Sequence, residues 1–233
     1  MKKMASWVTM VIALATFLFL APYEMAYSQP SPKTFTIGVS APLSGTAAVR
    51  GKYIKDGAEF AAKQINNAGG MRGLVLELKL DDNEGNPTKT ASSVEKLLKK
   101  EEVKALLIAD STGTIASLPL IEKARVPMFT TAFSPSLTEK GNKFVFRSTI
   151  SDAITGAQVM NFAVKELKYK KIGIMGSDGD YGQGGAIAAA KQLEKLGLPT
   201  VAIEKYKESD QDFSSQLLNI RKSGAEVLFI HGL

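Results

Sequence analysis

The stretch Phe35-Thr-Ile-Gly-Val-Ser-Ala-Pro-Leu-Ser-Gly-Thr46 decides the fold. Its first half, Phe35 to Ser40, is a short apolar run suited to a strand buried on both faces of a parallel sheet. A loop follows, and Lys52 to Asn67 then carries Ile54, Ala58, Ala61, Ala62 and Ile65 at helical spacing. Strand, loop and helix in that order open an α/β layer.

The rhythm continues downstream. Leu74 to Leu80 alternates as a strand, Thr88 to Lys100 is an amphipathic helix, and Val103 to Ile108 is a third strand. Ile115 to Ala124 reads as a helix that ends before Pro127, and Pro127 to Thr130 as a fourth, short strand. Phe144 to Ser148 is extended, after which the pattern restarts. It runs through the helix Ala153 to Leu167, the strand Lys171 to Met175, the helix Gly184 to Leu196 and the strand Thr200 to Tyr206. The helix Phe213 to Ser223 and the strand Val227 to His231 complete it. Strands separated by helices imply right-handed crossovers and parallel sheets covered on both faces. The expected architecture is two doubly wound parallel-sheet lobes, residues 29–147 and 148–233, with a hinge around Arg147 and Ser148. The second lobe is expected to be incomplete, because its last strand runs into the terminus.

Ahead of the fold stands an address. Lys2 and Lys3 precede the apolar run Trp7 to Leu20, and Ala26-Tyr27-Ser28 puts small residues at the first and third positions before a cut. This is the order of a secretory signal peptide, residues 1–28, and the run is shorter than the roughly 20 residues of a spanning helix. An exported, periplasmic protein cleaved near Ser28 is expected.

Composition narrows the chemistry. The chain has no cysteine and one histidine, so a disulfide framework, a Cys–His nucleophile and a His/Cys metal cluster are all excluded. The net charge of +6 is spread through both signs with no basic stripe interleaved with aromatics, which reads as a solvated surface rather than a nucleic-acid footprint. In the glycine-rich stretch Gly182-Gln-Gly-Gly-Ala-Ile187, Ile stands where the dinucleotide fingerprint has its third glycine, and no Walker lysine follows. Ser111 lacks the glycine two residues before it that a nucleophile elbow requires, position 109 being Ala. No cofactor, no metal and no catalytic dyad are expected.

Several segments then carry a resemblance. Pro42-Leu-Ser-Gly45, Asp56-Gly-Ala58, Ile65-Asn-Asn-Ala-Gly-Gly70 with Gly73, and Asp81-Asp82 with Asn86-Pro87 occur in order. Val126-Pro-Met128, Ser134-Pro-Ser-Leu-Thr138, Phe146-Arg147, Asp180-Tyr-Gly182 with Gly184, and Asp212-Phe-Ser214 follow them. In order and spacing this resembles a type I periplasmic binding protein, and more narrowly the branched-chain amino-acid binding family of ABC transporters. The resemblance implies a monomer that holds a small molecule between its lobes and delivers it to a membrane ABC permease. It also implies that well over a hundred further residues follow in such proteins, so that these 233 residues alone are expected to bind weakly or fold poorly.

In doubly wound sheets a ligand sits beyond the carboxyl ends of the strands, where loops meet helix N-termini. The loops there hold Ser44 to Arg50, Ser111 to Thr114 and Ala132 to Ser134. Short hydroxyl side chains beside free N–H groups at a helix start suit a carboxylate. The resemblance points to Ser111, Thr112, Ala132 (through its backbone) and Ser134 as that grip. A plain helix cap explains Ser111 or Thr112 equally well. Arg50 stands where the resembled leucine, isoleucine and valine binders have an aromatic residue. It is either a guanidinium fork for an acidic, dicarboxylate or aromatic-acid ligand, or a solvated surface arginine. Tyr181 is expected to pack on the ligand as the lobes close, or else to anchor its loop. Phe133 either faces the ligand or fills core, and is read as core. Asp152 aligns near a position that approaches the ligand's ammonium in the resembled family but is read first as a helix cap. His231 is read as incidental rather than as a ligand contact. The same clamshell also serves sensory or regulatory modules, and a non-functional fragment is the remaining alternative.

Overall fold

The computed structural model describes residues 33–45, 47–139 and 141–232; the signal peptide read from the sequence lies outside them. From Lys33 onward the chain forms one compact unit built on two sheets. The first sheet has the order β2-β1-β3-β4-β5, with β1 at Thr34–Ala41, β2 at Val75–Asp82, β3 at Ala105–Ile108, β4 at Met128–Thr130 and β5 at Val145–Arg147. The second has the order β7-β6-β8, with β6 at Ile172–Ser177, β7 at Thr200–Tyr206 and β8 at Val227–His231. All strand pairs are parallel. Ser40 pairs with Ile108, Ile108 with Thr130 and Thr130 with Arg147, so the loops leaving four neighbouring strands start side by side at one edge of the sheet. That register places the site.

Among the described residues seven α-helices connect the strands: α1 (Ala48–Asn67), α2 (Pro87–Lys99), α3 (Ser111–Ala124), the single turn α4 (Ser136–Glu139), α5 (Asp152–Asn161), α6 (Asp180–Lys195) and α7 (Ser214–Lys222). The apolar sides of α2 and α3 meet the first sheet in a core of Val94, Leu97, Leu106, Ile108, Ile121, Met128 and Leu137. A second core holds Met160, Ile172, Ile174, Ala186, Ala189 and Leu193 beneath α5 and α6. These helices approach closely because Gly156 has no side chain: a Cβ there would lie 3.3 Å from that of Ala188. A third cluster, Met175, Tyr206 and Ile220, seats α7 on the other face of the second sheet.

The elements follow the sequence reading, but three helices start about a turn earlier than apolar periodicity suggests: α1 at Ala48, α3 at Ser111 and α6 at Asp180. Periodicity registers only residues that face a core, and these first turns are polar or small because they face the loops of the other elements. The helix read as Ala153 to Leu167 is α5 followed by a π turn, Phe162–Glu166, in which Leu167 N–H reaches back to the Phe162 carbonyl. Among the described residues β8 is an edge strand, and Ile230 on it is exposed.

Candidate functional site

The carboxyl ends of the two sheets face each other, and the loops leaving them build the site. After β3 the chain passes Ala109 and Asp110 and enters α3. Asp110 has the extended backbone of a cap and accepts the Gly113 N–H, so it, rather than Ser111 or Thr112, caps this helix. Its second carboxylate oxygen is buried without a hydrogen-bond partner. Burial pushes the Asp110 carboxyl above the usual aspartate range, while the Gly113 N–H and the nearby Arg50 charge pull it back down.

Relieved of capping, the two hydroxyls join other parts of the molecule. Ser111, almost fully buried, accepts the Ser134 N–H at 3.3 Å and so ties the loop after β3 to the loop after β4. Thr112 accepts the Asp180 N–H at 3.0 Å, a bond from the first lobe to the first turn of α6 in the second. Arg50 lies in the first turn of α1 and donates to the carbonyl of Ala109, which brings its charge beside Asp110 and within electrostatic reach of Tyr181. It is half-buried and turned into the site rather than out to solvent.

The loop after β4 is held from several sides. Ala132 donates its N–H to Thr130 Oγ1 at 3.0 Å and accepts the Thr149 hydroxyl at 3.0 Å, so both of its backbone groups are engaged within the protein. Ser134 places its hydroxyl 3.0 Å from that of Ser136, and its carbonyl accepts from Arg147 at 2.8 Å. The same guanidinium reaches the Phe133 carbonyl at 3.2 Å and the Thr138 hydroxyl at 2.6 Å. Arg147 thus shapes the loop that carries Ala132, Phe133 and Ser134.

Opposite stands Tyr181, the second residue of α6 and half-buried. Its ring centroid is 5.9 Å from that of Phe133 and 4.4 Å from that of His231. Burial raises its phenol pKa, with Asp152 and Tyr206 adding to the rise and Arg50 opposing it. His231 Nε2 lies 3.1 Å from Asp152 Oδ2, and the Asp152 N–H binds the Phe133 carbonyl at 3.0 Å. Asp152 is therefore not a cap; Ser151 fills that position by accepting the Ala153 N–H. Nor is His231 incidental, since its ring fills the space over Gly185, where a Cβ would sit 2.1 Å away.

The structure thus brings Arg50, Ser111, Thr112 and Tyr181 together where the loops of the two sheets meet, with Ser134 joined through Ser111. It adds Asp110, which the sequence reading did not single out, and brings in Phe133, Asp152 and His231, which that reading ranked as core, cap and incidental. Only one signal for them was available: Asp110 and Phe133 follow a strand's carboxyl end within three residues, His231 ends a strand and Asp152 starts a helix. Among the described residues no group of three acidic, His or Cys side chains is arranged to hold a metal ion, and no helix is long and apolar enough to cross a membrane.

Two parallel sheets whose carboxyl-end loops meet have the fold of clamshell binding proteins. Residues 34–232 match the family described as periplasmic binding protein, and the chain belongs to it. Among curated relatives it is 32% identical over 199 residues to Leu/Ile/Val-binding protein homolog 3 of Brucella melitensis, covering 84% of this chain and 54% of the relative. It is 30% identical to an amino acid binding protein of Pseudomonas aeruginosa, covering 100% of this chain and 61% of that one. Its fold resembles a leucine binding protein, LivK, of Thermotoga maritima, with a TM-score of 0.75, 26% identity and coverage of 84% and 55% of the two chains. LivJ of Streptococcus pneumoniae, solved in complex with isoleucine, gives a TM-score of 0.69 at 30% identity and covers 81% and 54%. The chain therefore spans little more than half the length of these relatives.

Proposed function

We propose that this chain captures an amino acid or related small carboxylate between two lobes, residues 29–147 and 148–233, and belongs to an exported, monomeric solute-binding protein. That protein delivers its ligand from the periplasm to a membrane ABC permease. The observation that carries this reading is the convergence of Arg50, the α3 start at Ser111 and Thr112, and the aromatic cluster of Phe133, Tyr181 and His231 where the two sheets' loops meet.

The chemistry suits such a ligand. Arg50 has five N–H donors, and one nitrogen is engaged with the Ala109 carbonyl, which leaves others for a carboxylate. Ser111 and Ser134 carry their hydroxyls on the first-lobe loops after β3 and β4, where they turn from their present protein partners to ligand atoms. Tyr181 and Phe133 offer apolar faces to a side chain, and Asp110 and Asp152 supply negative charge for an ammonium group. Relatives named for leucine, isoleucine and valine support the amino-acid class, while Arg50 argues for a ligand with an additional acid or an aromatic acid.

The test is a thermal-shift panel of branched-chain amino acids, acidic amino acids, dicarboxylates and aromatic acids. A ligand at about a hundredfold excess over its dissociation constant stabilises by about 2.7 kcal/mol. A rise confined to one class is expected. A folded protein that shifts with none of them refutes the reading.

A further inference from the structure

We propose that Thr112 is a latch that holds the two lobes together before any ligand arrives, acting as a positioning residue for closure; this rests on the two-lobe reading above. The first observation is a cap supplied from outside. Helix α6 begins after Gly179, which has no side chain with which to cap it, so its first N–H groups have no local acceptor. Thr112 Oγ1 accepts the first of them, Asp180 N–H, at 3.0 Å from the other lobe. An N-cap hydroxyl normally belongs to its own helix; here it lies 68 residues away along the chain.

The second observation is steric and independent of that bond. One side of α6 approaches the first lobe closely enough that side chains would collide. A Cβ at Gly184 would lie 3.0 Å from Pro135 Cδ and 3.1 Å from Ser134 Oγ. Both of these atoms belong to the first lobe. The helix N-terminus is thus cut away where it docks, and the bond from Thr112 fixes the register of that docking.

The consequence is a ligand-independent closed population. A hydrogen bond present only with the lobes together favours that state, and ligand affinity rises with the fraction already closed. Thr112 then influences affinity without touching the ligand.

The chain has no cysteine, so paired Cys substitutions at the exposed Lys99 and Lys222 give unique spin-label positions on the two lobes. The inter-label distance distribution is measured without ligand in the protein and in its Thr112→Val, Thr112→Ser and Gly184→Ala forms. Expected is a short-distance population that falls by about threefold to tenfold in Thr112→Val, the range for loss of one net hydrogen bond. It is retained in Thr112→Ser and reduced in Gly184→Ala. An unchanged distribution in a folded Thr112→Val protein, or loss of the short distance in Thr112→Ser as well, overturns the latch. Binding is read separately by thermal shift, so failure to find a ligand is not confused with failure of the latch.

Discussion

His231 Nε2 sits 3.1 Å from Asp152 Oδ2, although 79 residues separate them, and this bond ties the end of β8 to the start of α5. Asp152 is about 3% exposed, and its other carboxylate oxygen accepts the Thr155 hydroxyl at 3.0 Å. The histidine is in turn packed against Tyr181 and Phe229. A bond at this junction controls how firmly the aromatic wall of the cleft is held.

Asp152→Ala is therefore expected to cost about 1–3 kcal/mol, the usual penalty for leaving a buried polar partner unpaired. Urea denaturation followed by circular dichroism measures it. An unchanged midpoint and slope would show that His231 finds another partner.

Arg50→Ala tests the charge beside Asp110. Burial raises the folded-state pKa of Asp110, so its titration favours folding most below the ordinary aspartate pKa, and that contribution is lost as pH rises through the raised value. Arg50 limits the rise. Its removal is expected to destabilise by about 1–3 kcal/mol at neutral pH, the range for a hydrogen bond from a charged donor. The deficit shrinks on acidification below the ordinary aspartate range. Melting temperatures of both proteins across that interval decide the matter; a pH-independent difference would assign Arg50 a packing role alone.

Arg147→Met removes the donor shared by the Phe133 and Ser134 carbonyls and the Thr138 hydroxyl. The loop after β4 should loosen, with about tenfold weaker binding of whichever panel ligand gives a thermal shift. Arg147→Lys is expected to recover only part of this, because one ammonium cannot reproduce the fork. Isothermal titration compares the three.

Gly51→Ala is expected to be the most damaging of these changes. A Cβ at position 51 would fall 1.9 Å from the Pro42 carbonyl oxygen, a backbone atom fixed by the turn after β1. Overpacking of this kind costs about 1–3 kcal/mol or more, against the small gain alanine offers inside a helix. Thermal denaturation would contradict this if the variant melted at or above the parent.

Much of this was legible in the chain. The run Phe35 to Ser40 and the strands Val103 to Ile108 and Val227 to His231 stand where apolar spacing puts them, as do the helices between them apart from the early first turns of α1, α3 and α6 and the π turn after α5, because burial leaves a periodic record. Arg50, Ser111, Thr112 and Tyr181 were also legible as site candidates, since strand ends in parallel sheets are where loops converge. What they touch was not. Whether a hydroxyl caps its own helix, as Thr112 seemed free to do, or another helix 68 residues away depends on how two lobes meet.

The sequence by itself determined the alternation of strand and helix, the parallel sheets and the family to which the chain belongs, because these follow from local periodicity and from ordered motifs along one dimension. Only the tertiary structure decided that Asp110 caps α3, that Phe133 and His231 flank Tyr181, and that Asp152 bonds His231. Such partners are chosen by distance in space, and hydrogen bonds and ring contacts act over a few ångströms that sequence separation does not encode.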